Sequence, residues 1–195
     1  MTMEERHGKS RRKKRNEDEP YSLKKEIISW IQIFVTAALI ALVLNTCIIA
    51  NSRVPTQSME NTIMAKSRII GSRLSYLTDD PERGDVVIFH FPDDPTGKTY
   101  YVKRVIGLPG ETVTVKDGKV YINGSDTPLD DSFIREPMET EGKSTYKVPE
   151  DSYFMMGDNR NESYDSRFWD NPYVSKDKIV AKASLRYWKG IKIVK

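Results

Sequence analysis

Residues 55–59 read PTQSM, and two hydroxyl side chains, Thr56 and Ser58, stand one residue apart. A serine hydroxyl acts as a nucleophile when a neighbouring group accepts its proton. Histidine is the usual acceptor, and the chain has two, His7 and His90. His7 falls in a charged N-terminal stretch, and His90 falls in VVIFHFP, a strand-like run where a histidine is more often structural. Lysine is the other acceptor, as in serine–lysine variants of the catalytic dyad. An ammonium group accepts nothing at neutral pH, so burial must first lower its pKa. In YYVKRVI, residues 100–106, strand alternation puts Tyr101, Lys103 and Val105 on one face and turns Arg104 to the other. Lys103 is then a single amine on an apolar face, although a strand lysine more often snorkels to solvent.

The elements that must carry these groups are mostly β. Period-2 patterning predicts strands over 85–91, 99–106, 112–115, 119–122, 152–156 and 179–187. Lys116-Asp117-Gly118 reads as a hairpin turn, and Pro92-Asp93-Asp94-Pro95 and Pro109-Gly110 mark further reversals. Thr56 and Ser58, at i and i+2, are expected on one face of a strand, followed by a short helix around 60–66. No long amphipathic helix and no internal repeat is visible after residue 50. The expected fold is a barrel-like antiparallel β catalytic domain following a single N-terminal transmembrane helix.

Residues 27–50, IISWIQIFVTAALIALVLNTCIIA, contain no charged side chain. As a helix they would extend about 36 Å, enough to cross a hydrocarbon core of about 30 Å with some tilt. A cleavable leader would have a shorter apolar core and a small-x-small ending, whereas this run is longer and ends Cys47-Ile48-Ile49-Ala50. A retained anchor is expected. Residues 1–26 hold nine Lys/Arg and six Asp/Glu, and the rest of the chain balances at 22 of each. The basic excess is confined to the tail, which argues against a nucleic-acid-binding face on the folded domain. The positive flank before the span puts the tail in the cytoplasm and residues 51–195 outside. The expected organisation is a basic cytoplasmic tail over 1–26, a transmembrane helix over 27–50 and an extracytoplasmic catalytic domain over 51–195. Cys47 is the one cysteine, so no intramolecular disulfide forms.

Four segments occur in order behind this span: PTQSM at 55–59, RGDVVIFHFP at 83–92, YVKRVIGLPGE at 101–111 and MGDNRNESYDSRFW at 156–169. Together they closely resemble the bacterial type I signal peptidases, membrane serine proteases that remove signal peptides from exported proteins. The resemblance covers about residues 20–190 and is nearest the compact form common in Gram-positive bacteria. It implies Ser58 as nucleophile and Lys103 as general base. It implies an oxyanion hole made by the Ser58 backbone N–H and the Thr56 hydroxyl. Ser163 would orient the lysine amine, and Asp165 and Arg167 would form a supporting ion pair. Gly157, Asp158, Asn159 and Arg160 would form a structural turn, as would Arg83-Gly84-Asp85. Val54, Pro55, Met59, Ile63 and Val102 would wall shallow pockets selecting small-x-small sequences such as Ala-x-Ala. The implied partners are signal-peptide-bearing preproteins and the lipid bilayer, with proximity to the secretion translocon and no nucleic acid. No metal and no organic cofactor is implied, and the location is the cell membrane, single-pass.

Two places depart from the family pattern. Where a proline commonly stands two residues after the methionine that follows the nucleophile, this chain has Glu60-Asn61-Thr62 and keeps only the threonine. Where glycine usually follows Phe168-Trp169, Asp170 stands, a residue that tolerates a left-handed conformation. These departures motivate an alternative of another class, a catalytically silent membrane protein that holds exported peptides on the same surface. A self-cleaving serine–lysine protease of the repressor type would carry a DNA-binding domain, and no helix-turn-helix is visible.

Overall fold

The computed structural model describes residues 23–139 and 142–194. The N-terminal stretch through residue 22, including His7, lies outside the described residues. The chain divides into two compact units with the boundary after Ile40. The first contains most of helix α1, Leu23–Val43. A helix apolar on all sides suits a lipid environment better than a half-wet surface, and none of its residues is buried. The helix starts four residues before Ile27, taking in Lys24, Lys25 and Glu26. A wider π turn, Leu44–Ile48, ends it, where the Thr46 hydroxyl donates to the Leu42 carbonyl at 2.8 Å. Residues 49 and 50, expected inside the span, belong to the first strand.

The second unit is built on strands β1 (Ile49–Val54), β2 (Ser67–Ser72), β3 (Val86–His90), β4 (Tyr100–Gly107), β5 (Thr112–Lys116), β6 (Lys119–Ile122), β7 (Lys143–Lys147), β8 (Ser152–Met156), β9 (Tyr173–Ser175), β10 (Ile179–Trp188) and β11 (Lys192–Ile193). A single-turn helix, α2, spans Ser75–Thr78. One curled antiparallel half-barrel runs in the order β1-β2-β10-β3-β4-β8-β9, with β11 paired to β10. A small sheet, β6-β5-β7, stands beside it. All six strands expected from patterning are present. The sequence reading missed β1, whose apolar start merges with the helix, and β2, β7, β9 and β11.

β3 and β4 form the middle of the sheet and are covered on both sides. Val86 and Ile88 face a core that includes Met59, Ile63, Ile69 and Val102. Val87 and Phe89 face the opposite core with Val105, Met155 and Trp169. Such a doubly covered strand reads as a continuous apolar run rather than an alternation. Register pairs Val87 with Lys103 and Val86 with Arg104, so the lysine arrives at the centre of the sheet. β4 joins β8 from Arg104 onward, and its first residues, Tyr100 to Lys103, have no ladder partner on that side.

The helix expected around 60–66 does not form. The segment instead makes consecutive turns, with Asn61 at φ +64° and Lys66 at φ +61°, left-handed values that interrupt helical geometry. Nor are Thr56 and Ser58 on a strand. β1 ends at Val54, and Pro55, which has no N–H to donate, follows it.

Gly107 marks where β4 passes from the large sheet to the small one. A Cβ there would lie 2.5 Å from a Val113 methyl and 3.0 Å from Phe154 Cβ and a Val148 methyl. Gly107→Ala should therefore lower stability by about 1–3 kcal/mol through overpacking, seen as a reduced midpoint in thermal denaturation.

Candidate active site

The turn carrying Ser58 is anchored from below. Met59 and Ile63 on either side of its bend are fully buried, and Ile63 N–H donates to the Met59 carbonyl at 2.7 Å. Ser58 is 5% exposed, and its Oγ lies 3.1 Å from Thr56 Oγ1. The two hydroxyls, expected on one face of a strand, meet instead in a turn. The backbone is held from a second direction. Asn159 N–H donates to the Ser58 carbonyl at 3.1 Å, and the Asn159 side-chain amide donates to the Gln57 carbonyl at 3.2 Å.

Lys103 is 3% exposed, and its Nζ donates to Ser163 Oγ at 2.9 Å. The amine sits 5.9 Å from the Tyr101 ring centroid, consistent with the shared strand face. Burial pushes its pKa down to about 8; the Asp165 charge opposes this, the Arg167 charge assists, and the Asp158 charge opposes. The structure pairs Ser58 with Thr56 and Lys103 with Ser163, and brings all but Ser163 to one cleft.

Asp165 is fully buried and fully engaged. Its Oδ1 accepts from Arg167 Nε at 2.8 Å, and its Oδ2 accepts from Arg167 Nη2 and from Gly157 N–H, each at 2.9 Å. Burial alone would raise its pKa, but the Arg167 bonds and charge, with the Lys103 charge and the Gly157 bond, hold it below its ordinary value. Gly157 supplies space rather than an unusual backbone angle. A Cβ there would collide with the Ser163 side chain and the Ser58 carbonyl.

A cleft of about 220 Å³ opens over Ser58, Thr56 and Lys103. Val54, Pro55, Tyr101 and Val102 give it apolar walls, and the exposed Arg53, Tyr100, Glu162 and Tyr164 stand at its rim. Met59 and Ile63, expected as pocket walls, do not line the cleft; they belong to the core behind Val54 and Val102. His90 also lies outside the cleft lining, its ring against Tyr100 with centroids 4.4 Å apart. Among the described residues, no three His, Cys, Asp or Glu side chains gather as a metal site requires.

Sequence reasoning missed a second buried network on the opposite face of β4. Arg104 grips Asp158 with both prongs, Nε to Oδ1 at 2.8 Å and Nη2 to Oδ2 at 2.7 Å. Thr62 Oγ1 donates to the same carboxylate at 2.5 Å, and Arg104 Nη1 donates to the Gly84 carbonyl at 2.6 Å. The available signal was an arginine on an otherwise apolar central strand, a position that requires a bidentate partner.

A family model described as "Signal peptidase, peptidase S26" matches residues 27–188. The chain belongs to the S26 signal peptidase family. Probable signal peptidase I-2 of Synechocystis sp. is 38% identical over 82% of this chain and 74% of that protein. Signal peptidase I of Leptolyngbya laminosa is 37% identical over 83% of this chain and 80% of that protein. A crystal structure of a signal peptidase I from Enterococcus faecalis V583 is 30% identical and aligns over 53% of this chain and 97% of that one, with a TM-score of 0.44.

Both departures from the S26 pattern have a structural account. Asn61 is left-handed, a conformation that proline cannot adopt. Asp170 does not use the left-handed conformation anticipated for it. Its N–H and that of Asn171 are capped instead by the Asp93 carboxylate, each at 3.0 Å.

Holding Lys103 near pKa 8 has a cost in stability. The drop from 10.5 to about 8 corresponds to roughly 3 kcal/mol against folding below pH 8. The unfolded chain binds the extra proton between those values, so this penalty is relieved as pH rises from 8 to 10.5. Lys103→Met should melt at a higher temperature than the natural protein at pH 6.5, with the difference shrinking towards pH 10. Equal differences at both pH values would contradict the burial account.

Proposed function

We propose that this chain is a membrane-anchored serine endopeptidase that removes signal peptides from exported preproteins, cleaving after small-x-small sequences with a Ser58/Lys103 dyad. The observation that carries the reading is a buried amine of lowered pKa, oriented by Ser163, in the same cleft as the Ser58 hydroxyl. In this mechanism neutral Lys103 takes the Ser58 proton as Oγ attacks the scissile carbonyl. The Ser58 N–H and Thr56 hydroxyl stabilise the oxyanion. The resulting ammonium protonates the leaving amine, which releases the mature protein. Lys103 then accepts a proton from water as it attacks the Ser58 ester, and the ammonium returns that proton to Ser58 Oγ as the acyl bond breaks, freeing the signal peptide as a carboxylic acid that ionises in water.

Two open strand edges support binding of an extended substrate. β1 pairs on one side with β2, and β4 lacks a partner before Arg104 on its β8 side. Arg53 to Thr56 and Tyr100 to Val102 both border the cleft, so a peptide could add between them as a strand. Of the pocket residues, Val54, Pro55 and Val102 line the cleft and would exclude large side chains, while Met59 and Ile63 would act by fixing the wall behind them. Asp165 and Arg167 would hold the lysine-bearing side of the site.

In this reading residues 1–26 form a cytoplasmic tail, the span that begins near Ile27 is a single-pass anchor in the cell membrane, and the domain from residue 51 is extracytoplasmic. The helical segment Leu23–Ile48 is long and apolar enough to cross a bilayer, and basic residues precede it. Preproteins emerging from the secretion translocon and the surrounding lipid are the partners.

The test is cleavage of an Ala-x-Ala preprotein by full-length protein in detergent. The natural sequence should cut after the second small residue, and Ser58→Ala and Lys103→Ala should each lose at least about 10³-fold in rate. The rate should rise with pH as the amine loses its proton, with a midpoint near 8. Near-normal activity in Lys103→Ala, or loss of the pH dependence in His90→Ala, would overturn the dyad.

A further inference from the structure

The Ser58 turn is held by the core through Met59 and Ile63, and by Asn159 through its backbone. Its third side, Glu60 and Asn61, is held by a segment far away in sequence. Glu60 Oε1 accepts from Ala65 N–H at 3.3 Å within the turn, and Glu60 Oε2 accepts from Arg135 Nη1 at 2.8 Å. The Asn61 side-chain amide donates to the Phe133 carbonyl at 3.3 Å.

The same segment reaches the other half of the site. The Phe133 ring lies 4.2 Å from the Arg104 guanidinium, and Arg135 N–H donates to the Asp158 carbonyl at 3.3 Å. Farther along, the Pro137 carbonyl accepts from the Asn161 amide at 3.0 Å, and Glu139 N–H donates to Asn161 Oδ1 at 2.8 Å. Met138 is buried, and its sulfur accepts from Arg167 Nη1 at 3.3 Å. The residues leading into this segment are fixed to β6 by Leu129 N–H to the Val120 carbonyl at 2.7 Å and by the Lys119–Asp131 ion pair at 2.9 Å. None of residues 133–139 lines the cleft, so their influence on the reaction would act through other groups.

We propose that residues 133–139 are a positioning strap that sets the Ser58 turn against the Ser163–Asp165–Arg167 segment, with Arg135–Glu60 and Asn61–Phe133 as its grips on the nucleophile side. The consequence for rate rests on the dyad reading above; the mechanical link does not. Small displacements of reacting groups are costly, a shift of about 1 Å being able to lose about 10²-fold. The grip also accounts for Glu60-Asn61 standing where the family pattern differs.

The test uses full-length protein in detergent carrying Arg135→Glu, Glu60→Arg, or both together. Each single change should lower kcat about tenfold with KM within about twofold, and the double change should recover kcat to within about threefold of the natural protein. The pH midpoint of kcat should stay in place, because Lys103 keeps its surroundings. Hydrogen exchange of the amides at 59–66 should accelerate in each single variant and slow again in the double. Arg135→Gln, which removes the charge without reversing it, gives the same reading if a reversal prevents folding. Unchanged exchange at 59–66 in the single variants, unchanged kcat despite faster exchange, or a double variant no better than the worse single would each overturn the strap. If the natural protein cleaves nothing, the proposed function falls, and exchange still decides whether the strap holds the turn.

Discussion

Everything in this site depends on stripping water from one amine. Lys103 can be buried because β4 runs beside β3 in the middle of the sheet, where Val87 pairs with it, with apolar layers on both faces. Desolvation lowers its pKa, but the nearby Asp165 carboxylate pulls the other way. Arg167 resolves the conflict. Its guanidinium engages both oxygens of Asp165, keeping that carboxylate charged while offsetting its field at Lys103. Asp165 is therefore free to hold the Gly157 N–H, and Ser163 supplies the amine with a neutral oxygen rather than an anion. An anionic partner in place of Ser163 would favour the ammonium form and raise the pKa of Lys103.

The second constraint is distance. The Ser58 turn and the 157–165 segment are about a hundred residues apart in sequence, yet the Ser58 carbonyl and the Ser163 side chain crowd against the same glycine. Hydrogen bonds from Asn159 to the Ser58 and Gln57 carbonyls close the gap from one side. Gly157 makes that approach possible, and the buried carboxylate of Asp165 fixes its N–H. Positioning the Ser58 turn and supporting the Lys103 amine are thus one packing problem, solved around one residue without a side chain.

Much of the fold was legible because strand patterning and turn chemistry agree locally. The six expected strands all carry alternating or continuous apolar runs bounded by Gly, Pro or Asp. β1 was hidden because Ile49 and Ala50 extend an apolar run that reads as helix. β7, KSTYK, was hidden because it is largely exposed and has no apolar face. Within the site, Lys103 could be marked by alternation, since Tyr101 and Val105 flank it, but only as a candidate whose role came with the resemblance. Ser163, Asp165 and Arg167 could not, because nothing in an irregular turn announces which backbone and side-chain groups it will meet. Thr56 and Ser58, expected on one strand face, meet in a turn instead, and Met59 and Ile63, expected as pocket walls, lie in the core behind Val54 and Val102. Arg135 was invisible because its partner Glu60 lies 75 residues away.

Adjacent residues on β4 illustrate how alternation creates two electrostatic environments from one strand. Arg104, on one face, receives a bidentate carboxylate, a threonine hydroxyl and a backbone carbonyl, and it braces the turn at 158. Lys103, one residue earlier and on the other face, receives a single serine oxygen. The chemistry of each side chain fits its surroundings. A guanidinium keeps its charge when buried and can use a planar fork of donors, whereas an amine gives up its proton when charge stabilisation is withheld. Exchanging the two cations would leave a permanent charge beside a single neutral oxygen at 103 and a point donor facing a carboxylate fork at 104. The order Lys103-Arg104 is thus tied to strand geometry, because a shift of register by one residue would reverse both faces.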